Sequence, residues 1–378
     1  MLWLSLGVLL VWLAAGAEMI NGNRKLRRLD RFPPATDAPG LPTFTIIVPA
    51  RNEADTLDPA MRSLLALDYP AFDIVAVDDR SEDGTGRLLD GFDDPRLTVL
   101  HVSELPAGWL GKNHALHLGA RQATGDWLLF TDADVVFASD TLRRAATALA
   151  QTGTDHVTAI PRLTGASPAL KVALPVFSLC FALAQRPWRA ADPKSRAYVG
   201  IGAFNLVRKT AYSAIGGHKK FADAPHDDLA LGRAMKSAGF RQLCLIASRT
   251  LSVQWYRTLP QFVHGLEKGT FAYFNYRLTL VFLVTLELLG FFLWPIAGLF
   301  LLHGTALALD GGATGVMLAL GALGAHRLRF CPLYGFAYPL GAMVMVVVLW
   351  NAAIRIRLRG GLEWRGTFYP LDKSRGSL

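Results

Sequence analysis

The chain has 378 residues, a hydrophobic fraction of 52% and a formal net charge of +9. Its mean hydropathy of +0.28 is high for a soluble enzyme, and the basic surplus flanks apolar runs instead of accompanying a nucleic-acid motif, which sets nucleic acid aside as a partner. Three scattered cysteines, Cys180, Cys244 and Cys331, show no Cys-x-x-Cys or Cys/His spacing. They read as reduced, small buried hydrophobes, which excludes a zinc module or a disulfide scaffold.

Leu2 to Ile20 is apolar except for Glu18. The run is about the 20 residues a bilayer needs, and its charges (Arg24, Lys25, Arg27, Arg28) follow it, unlike those of a signal peptide. Residues 1–22 are therefore expected to be an uncleaved anchor whose following segment faces the cytoplasm. Residues 23–42, basic and then Pro-rich, read as a linker. From Thr43, short apolar runs alternate with amphipathic stretches. Thr45–Val48, Ile74–Val77, Leu97–Leu100 and Trp127–Phe130 read as buried parallel strands, and Asp55–Leu67 and Lys112–Ala123 as helices. This alternation predicts an α/β doubly wound sheet, Rossmann-like, with ligands at the carboxyl ends of its strands.

Ala169–Ala184 is apolar but carries Pro175 and follows Pro168; it reads as a helix lying on the membrane, with a buried core helix as the alternative. Beyond Arg277 the chain becomes membrane-like. Thr279–Leu302 and Leu333–Ala353 are expected to span, while Ala306–Leu323, with Asp310 and several glycines, is weaker and reads as re-entrant or interfacial. Residues 278–355 thus form a carboxyl-terminal membrane region with two crossings or three. The run Arg355 to Arg359 places the tail, 356–378, in the cytoplasm. Glu287 is an expensive residue to place in a span.

The chemistry-bearing residues follow the strands. The first ends in Pro49-Ala50-Arg51-Asn52-Glu53 and the second in Asp78-Asp79-Arg80-Ser81-Glu82-Asp83-Gly84. Carboxylates there can accept from a base or a ribose, although the second motif also reads as a plain turn. The fourth ends in Thr131-Asp132-Ala133-Asp134, a half-site for a hard divalent cation. Gly108-Trp109-Leu110-Gly111-Lys112-Asn113 offers N–H donors and a cation to a phosphate, with a solvated helix-start lysine as the competing reading. Gly200-Ile201-Gly202-Ala203-Phe204-Asn205 reads as a flexible wall of a sugar pocket. Asp227 and Asp228 open a helix, either as caps or with one as general base; spacing alone does not separate the jobs. Arg257 and Lys268 stand before the membrane region and suit an interface belt or a grip on a diphosphate.

In this order, IIVPARNEADTL, VDDRSEDGT, GKNHAL, TDADV, GIGAFNLVRK and DDLALGRAMKSAGF resemble the family 2 glycosyltransferases, from about Thr43 to Tyr276. The resemblance implies a GT-A fold, a doubly wound mixed sheet, flanked here by transmembrane helices, with residues 43–277 as the catalytic domain. It implies a nucleotide-sugar donor, UDP-sugar first, contacted by Pro49, Arg51, Glu53, Asp78, Asp79, Lys112 and Asp132. It places Mg²⁺ or Mn²⁺ on Asp132 and Asp134, and makes Asp228 the base of an inverting transfer with Asp227 beside it. The Gln-x-x-Arg-Trp motif of processive synthases is absent where the chain reads Phe262-Val263-His264-Gly265-Leu266, and Arg257 and Lys268 stand in as candidate diphosphate contacts. The chain looks more like non-processive, lipid-directed members, such as the ceramide, carotenoid-acid and hopanoid-associated glycosyltransferases; the segment Trp364-Arg365-Gly366 is similar to one found after their last span. The implied setting is the bacterial cytoplasmic membrane, with the lipid bilayer and a membrane lipid acceptor as partners. A short-chain polysaccharide synthase, a lipid-phosphate nucleotidyltransferase and a silent scaffold are the alternatives.

Overall fold

The computed structural model describes residues 1–371. The chain forms two compact units. One holds Leu26–Thr164 and Arg186–Trp255; the other holds Met1–Lys25, Gly165–Gln185 and residues 256–371.

In the first unit the strands are β1 (Arg27–Arg28), β2 (Phe44–Ala50), β3 (Phe72–Asp79), β4 (Leu97–Val102), β5 (Trp127–Phe130), β6 (Val135–Phe137), β7 (His156–Ile160), β8 (Arg162–Leu163), β9 (Asn205–Arg208), β10 (Gln242–Ile246) and β11 (Leu251–Val253). The main sheet runs β1-β10-β7-β9-β5-β2-β3-β4. It is parallel except for β9, which is antiparallel to both β5 and β7. A small sheet of β6, β11 and β8 lies beside it.

Consecutive residues of the central strands belong to opposite cores. Ile46, Val48, Ile74 and Leu129 pack with Met61 and Leu64 on one face. Ile47, Leu128 and Phe130 pack with Leu116 and Met235 on the other. Burial on both faces explains why these strands read as unbroken apolar runs without alternation. At about 2 kcal/mol per buried side chain it also makes the middle of the sheet rigid. The chain passes from β2 outward to β3 and β4, then returns to β5 on the other side of β2. That reversal opens a crevice at the carboxyl ends of β2, β3 and β5, where ligands gather in such sheets.

The predicted strands and helices are present, each within a few residues of its expected bounds; Trp127–Phe130 coincides with β5. Two expectations are corrected, and a third segment is observed as the helix it was expected to be. The linker is not a free spacer: Leu29 and Phe32 are buried in the core, and Arg144 donates to the carbonyls of Asp30 and Phe32. Of the cysteines, Cys244 is buried and Cys180 partly so, but Cys331 is exposed. Ala169–Ala184 is one continuous helix, Pro168–Gln185, because Pro168 sits at its start, where no N–H is needed, and Pro175 is accommodated inside it.

Among the described residues, four helices are long and apolar enough to cross a membrane: Leu2–Lys25, Pro168–Arg189 including its short 3₁₀ extension, Gly304–Arg327 and Pro332–Arg359; apart from that extension they belong to the second unit. The run Thr279–Leu302 is not one helix. It breaks at Leu293 into Leu278–Phe292 and Trp294–Leu301, with Pro295 opening the second piece. The weaker candidate Ala306–Leu323 instead lies in the unbroken 24-residue helix Gly304–Arg327. Asp310, fully buried in this unit, accepts from Ser5 Oγ at 3.1 Å; Glu287 is exposed. After the last helix, Gly361–Trp364 and Thr367–Pro370 form a hairpin (β12, β13) turned by Arg365 and Gly366, both with positive φ. Residues 372–378 of the expected basic tail lie outside the described residues.

Candidate active site

The loops after β2 and β3 are tied to each other. Arg51 Nη1 donates to the carbonyls of Asp79 and Arg80, at 2.8 and 3.2 Å. The backbone N–H groups of Asn52, Glu53 and Ala54 donate to Ser81, Thr85 and Asp83, and that of Glu82 donates back to Asn52. Asn52 and Arg80 take left-handed backbone angles to allow this. The predicted turn is therefore present, but it serves to fix two carboxylates at the end of β3. Asp78 accepts from Ser81 N–H and faces His101. Asp79, 3% exposed, is held by both donors of Arg80. Pro49 pairs in register with Val77, one residue before them.

The other carboxylates meet at Lys112, the second residue of the helix Gly111–Gln122. Its Nζ lies 2.7 Å from Asp132 Oδ1, just after β5, and 3.1 Å from Asp227 Oδ2, at the start of the helix Asp227–Ser237. The structure thus brings together Lys112, Asp132 and Asp227 from three separate motifs. Asn113 makes the juxtaposition possible. Fully buried, it donates to the carbonyls of Phe221, Ala222 and Ala224, the loop that leads into Asp227. Asp228 accepts from Gly202 N–H at 3.0 Å and from Leu229 N–H at 2.7 Å.

Glycines let these groups approach. A Cβ on Gly111 would lie 2.2 Å from Asp79 Oδ2, one on Gly202 2.6 Å from Asp132 Oδ2, and one on Gly200 1.8 Å from the Asp228 carbonyl. The GIG segment is therefore a rigid backstop for the two aspartates, not a flexible wall. Sequence reasoning passed over Asn113 and the approach role of these glycines.

The cluster is electrostatically unbalanced. Burial works against the Lys112 charge, but Asp132, Asp227 and Asp228 outweigh it and hold the ammonium protonated. Burial, then Asp132 and Glu53, push the Asp134 carboxyl up to about 7. Burial and the neighbouring Asp227 push Asp228 up to about 6. Carboxylates crowded to this degree fit a hard cation, and Asp132 and Asp134 offer the oxygen donors that Mg²⁺ or Mn²⁺ takes. Among the described residues, no three His, Cys, Asp or Glu side chains form a complete protein cage. Such an ion would therefore need further oxygens from a ligand or water.

Arg257 and Lys268 belong to the helical unit. Arg257 precedes the helix Leu259–Gly265, and its N–H donates to Gln261 of that helix's capping box. Lys268 Nζ lies 5.4 Å from the Trp364 ring of the hairpin, and the neighbouring Glu267 pairs with Arg355 and Arg359.

A doubly wound mixed sheet with carboxylates at the ends of β3 and β5 and at a helix start defines an α/β domain of GT-A type. A mannosyltransferase from Pyrobaculum calidifontis, solved with GDP-Man and Mn²⁺, shares this fold. Its TM-score is 0.52 at 21% identity, covering 94% of this chain and 99% of that one. Residues 45–215 match the family described as Glycosyl transferase family 2. Two 4,4'-diaponeurosporenoate glycosyltransferases of Staphylococcus aureus, from strains bovine RF122 / ET3-1 and USA300, are 26% identical over 196 and 195 residues. The matches cover 52% and 51% of this chain and the same shares of theirs, so the chain spans about half the length of the curated relatives it matches.

Proposed function

We propose that the protein is an inverting, non-processive glycosyltransferase that moves a sugar from a nucleotide-sugar, UDP-sugar first, to a membrane lipid. The observation that carries this reading is the meeting of Lys112 with Asp132 and Asp227. It ties a metal-type carboxylate, a cation and the aspartate pair of a helix start into one cluster beside the loops that fix Asp78 and Asp79.

In this reading Asp78 and Asp79 receive the nucleoside, with Pro49, Arg51 and Glu53 shaping that end. Lys112 supplies positive charge near the diphosphate. Mg²⁺ or Mn²⁺ held by Asp132 and Asp134 would supply further charge facing the leaving group. Asp228 takes the proton of the acceptor hydroxyl or carboxyl. The freed oxygen attacks the anomeric carbon, the bond to the diphosphate breaks, and the nucleoside diphosphate leaves with the electron pair. Its raised pKa makes Asp228 a better base than an ordinary carboxylate, and its two backbone donors fix its direction.

The apolar helices support a lipid acceptor, as does the name of the Staphylococcus aureus relatives. Basic residues close both the first and the last of these helices. That pattern supports the reading that residues 43–277 face the cytoplasm of a bacterial cytoplasmic membrane, with residues 1–22 and 278–355 as its membrane segments. A thermal-shift screen of UDP, GDP, CDP and TDP sugars, with and without Mn²⁺, tests the reading on detergent-purified protein. One donor should stabilise the wild type only with metal, and Asp132→Ala should lose the effect. Folded protein that responds to no donor overturns it.

A further inference from the structure

We propose that His101 positions Asp78 and does so as an imidazolium, so that nucleotide binding at this end of the site weakens as pH rises. The inference deepens the assignment of Asp78 to the nucleoside and rests on it.

β3 and β4 pair in parallel with Asp78 opposite His101, so the two side chains project from the same face of the sheet. His101 Nδ1 lies 3.1 Å from Asp78 Oδ2, and Nε2 lies 2.9 Å from Asp90 Oδ1, on the helix Thr85–Asp90. A neutral imidazole has one N–H and one lone pair. Set between two carboxylates, it would aim the lone pair at one of them. Only the imidazolium donates at both ends, and such charge-assisted bonds are the stronger kind. Asp90 first and then Asp78 raise the His101 pKa, against a smaller opposing effect of burial. These two carboxylates, one from the helix and one from β3, are the titratable groups that act on it.

The arrangement is built closely. A Cβ on Gly86 would lie 2.6 Å from Asp78 Oδ2 and 3.3 Å from His101 Cε1, so the helix packs directly over the pair. Asp78 Oδ1 is occupied by Ser81 N–H. With His101 charged, both oxygens of Asp78 are held and its carboxylate keeps one orientation. Without the proton, His101 can satisfy Asp78 or Asp90 but not both, and Asp78 loses its fixed aim. Because the folded pKa is raised, the effect is complete below the ordinary histidine value and disappears as pH climbs through the raised one.

The test is calorimetric titration with UDP, GDP, CDP and TDP in Mg²⁺, at about pH 6.5 and about pH 8.5, on wild type, His101→Gln and Asp90→Asn. For the nucleotide that binds, wild-type affinity should fall about tenfold across this range, the scale of one charge-assisted hydrogen bond. His101→Gln should bind weakly at both pH values with little change between them. Asp90→Asn should move the loss of affinity to lower pH. Any titration of the nucleotide itself is common to all three proteins and cancels in the comparison. Parallel pH profiles for wild type and His101→Gln overturn the proposal. If none of the four nucleotides binds, the nucleoside assignment falls, and thermal midpoints decide the His101 pairing. The deficit of His101→Gln should then shrink as pH rises, and a constant deficit rejects it.

Discussion

The ammonium of Lys112 sits 2.7 Å from Asp132 Oδ1. The same group reaches Asp227, so one cation balances carboxylates contributed by two motifs nearly a hundred residues apart. Replacing it by Met leaves those carboxylates crowded against Asp134 and Asp228. Lys112 and Asp132 are 27% and 39% exposed, so solvent screening limits the stability loss to about 1–2 kcal/mol. Added Mg²⁺ should raise the thermal midpoint of Lys112→Met more than that of wild type, because the ion takes over part of the missing charge. Equal shifts would mean that Lys112 and the cation do not share the site. Turnover in the variant should drop by about a hundredfold, as for loss of one preorganised charge at a leaving group.

Asp228→Asn keeps the side chain's shape but removes the proton acceptor, and it gives up one of the two backbone bonds, because Gly202 N–H and Leu229 N–H use different oxygens. Turnover should fall by roughly two to four powers of ten, the range for a general base. Donor affinity should change by less than about twofold, since the proposed role lies with the acceptor. Single-turnover kinetics beside equilibrium donor binding separate the two. Loss of donor binding would move Asp228 to the metal or diphosphate side of the site.

Gly202→Ala and Gly200→Ala should fail differently. At Gly202 the new methyl meets the Asp132 carboxylate, which can rotate away. The protein should fold but bind Mn²⁺ less tightly, by about tenfold, as misplaced metal ligands do. At Gly200 the methyl would meet the backbone of Asp228, which cannot yield without moving the helix. Such overpacking against backbone costs about 3 kcal/mol or more, and soluble expression in detergent should drop sharply. If both variants behave alike in folding and in Mn²⁺ titration, the backstop role of this loop is wrong.

How far the sequence could be read depends on whether a feature's cause is local. Trp127–Phe130 and its Asp132/Asp134 end were legible because a four-residue run buried on both faces has one simple reading, a central strand. Asn113 was not. Its partners, the carbonyls of Phe221, Ala222 and Ala224, lie more than a hundred residues away, and nothing in GKNHAL announces them. The glycines were noticed but misread. Their value is the space they leave for Asp79, Asp132 and the Asp228 backbone, which only the folded chain reveals. In the helical unit, the break in Thr279–Leu302 carried a local sign in Pro295, whereas Pro175 carries the same sign inside an unbroken helix. Proline alone did not tell the two apart, because inside a bundle neighbouring groups re-satisfy the freed carbonyl.

Acid should destabilise the α/β unit through His156. The residue is fully buried, with Nε2 donating to Asn205 Oδ1 and Nδ1 accepting from Gln242 Nε2 at 2.6 Å. Gln242 in turn holds both the N–H and the carbonyl of Val199, next to Gly200 and the Asp228 backbone. This network needs the neutral ring, and burial, only partly opposed by the bond to Asn205, lowers its pKa to about 4. The unfolded chain carries an ordinary histidine near 6.5. Between these values the unfolded state binds more protons than the folded one, so stability is full above about pH 6.5 and falls as pH drops toward 4. At about pH 5 the loss from His156 alone is roughly 2 kcal/mol. His156→Gln, which can still donate and accept, should be less stable than wild type at neutral pH yet show a shallower decline between pH 7 and 5. Thermal midpoints measured across that range decide it. Parallel curves would mean that the acid sensitivity arises elsewhere and that the ring behind Val199 does not depend on its charge.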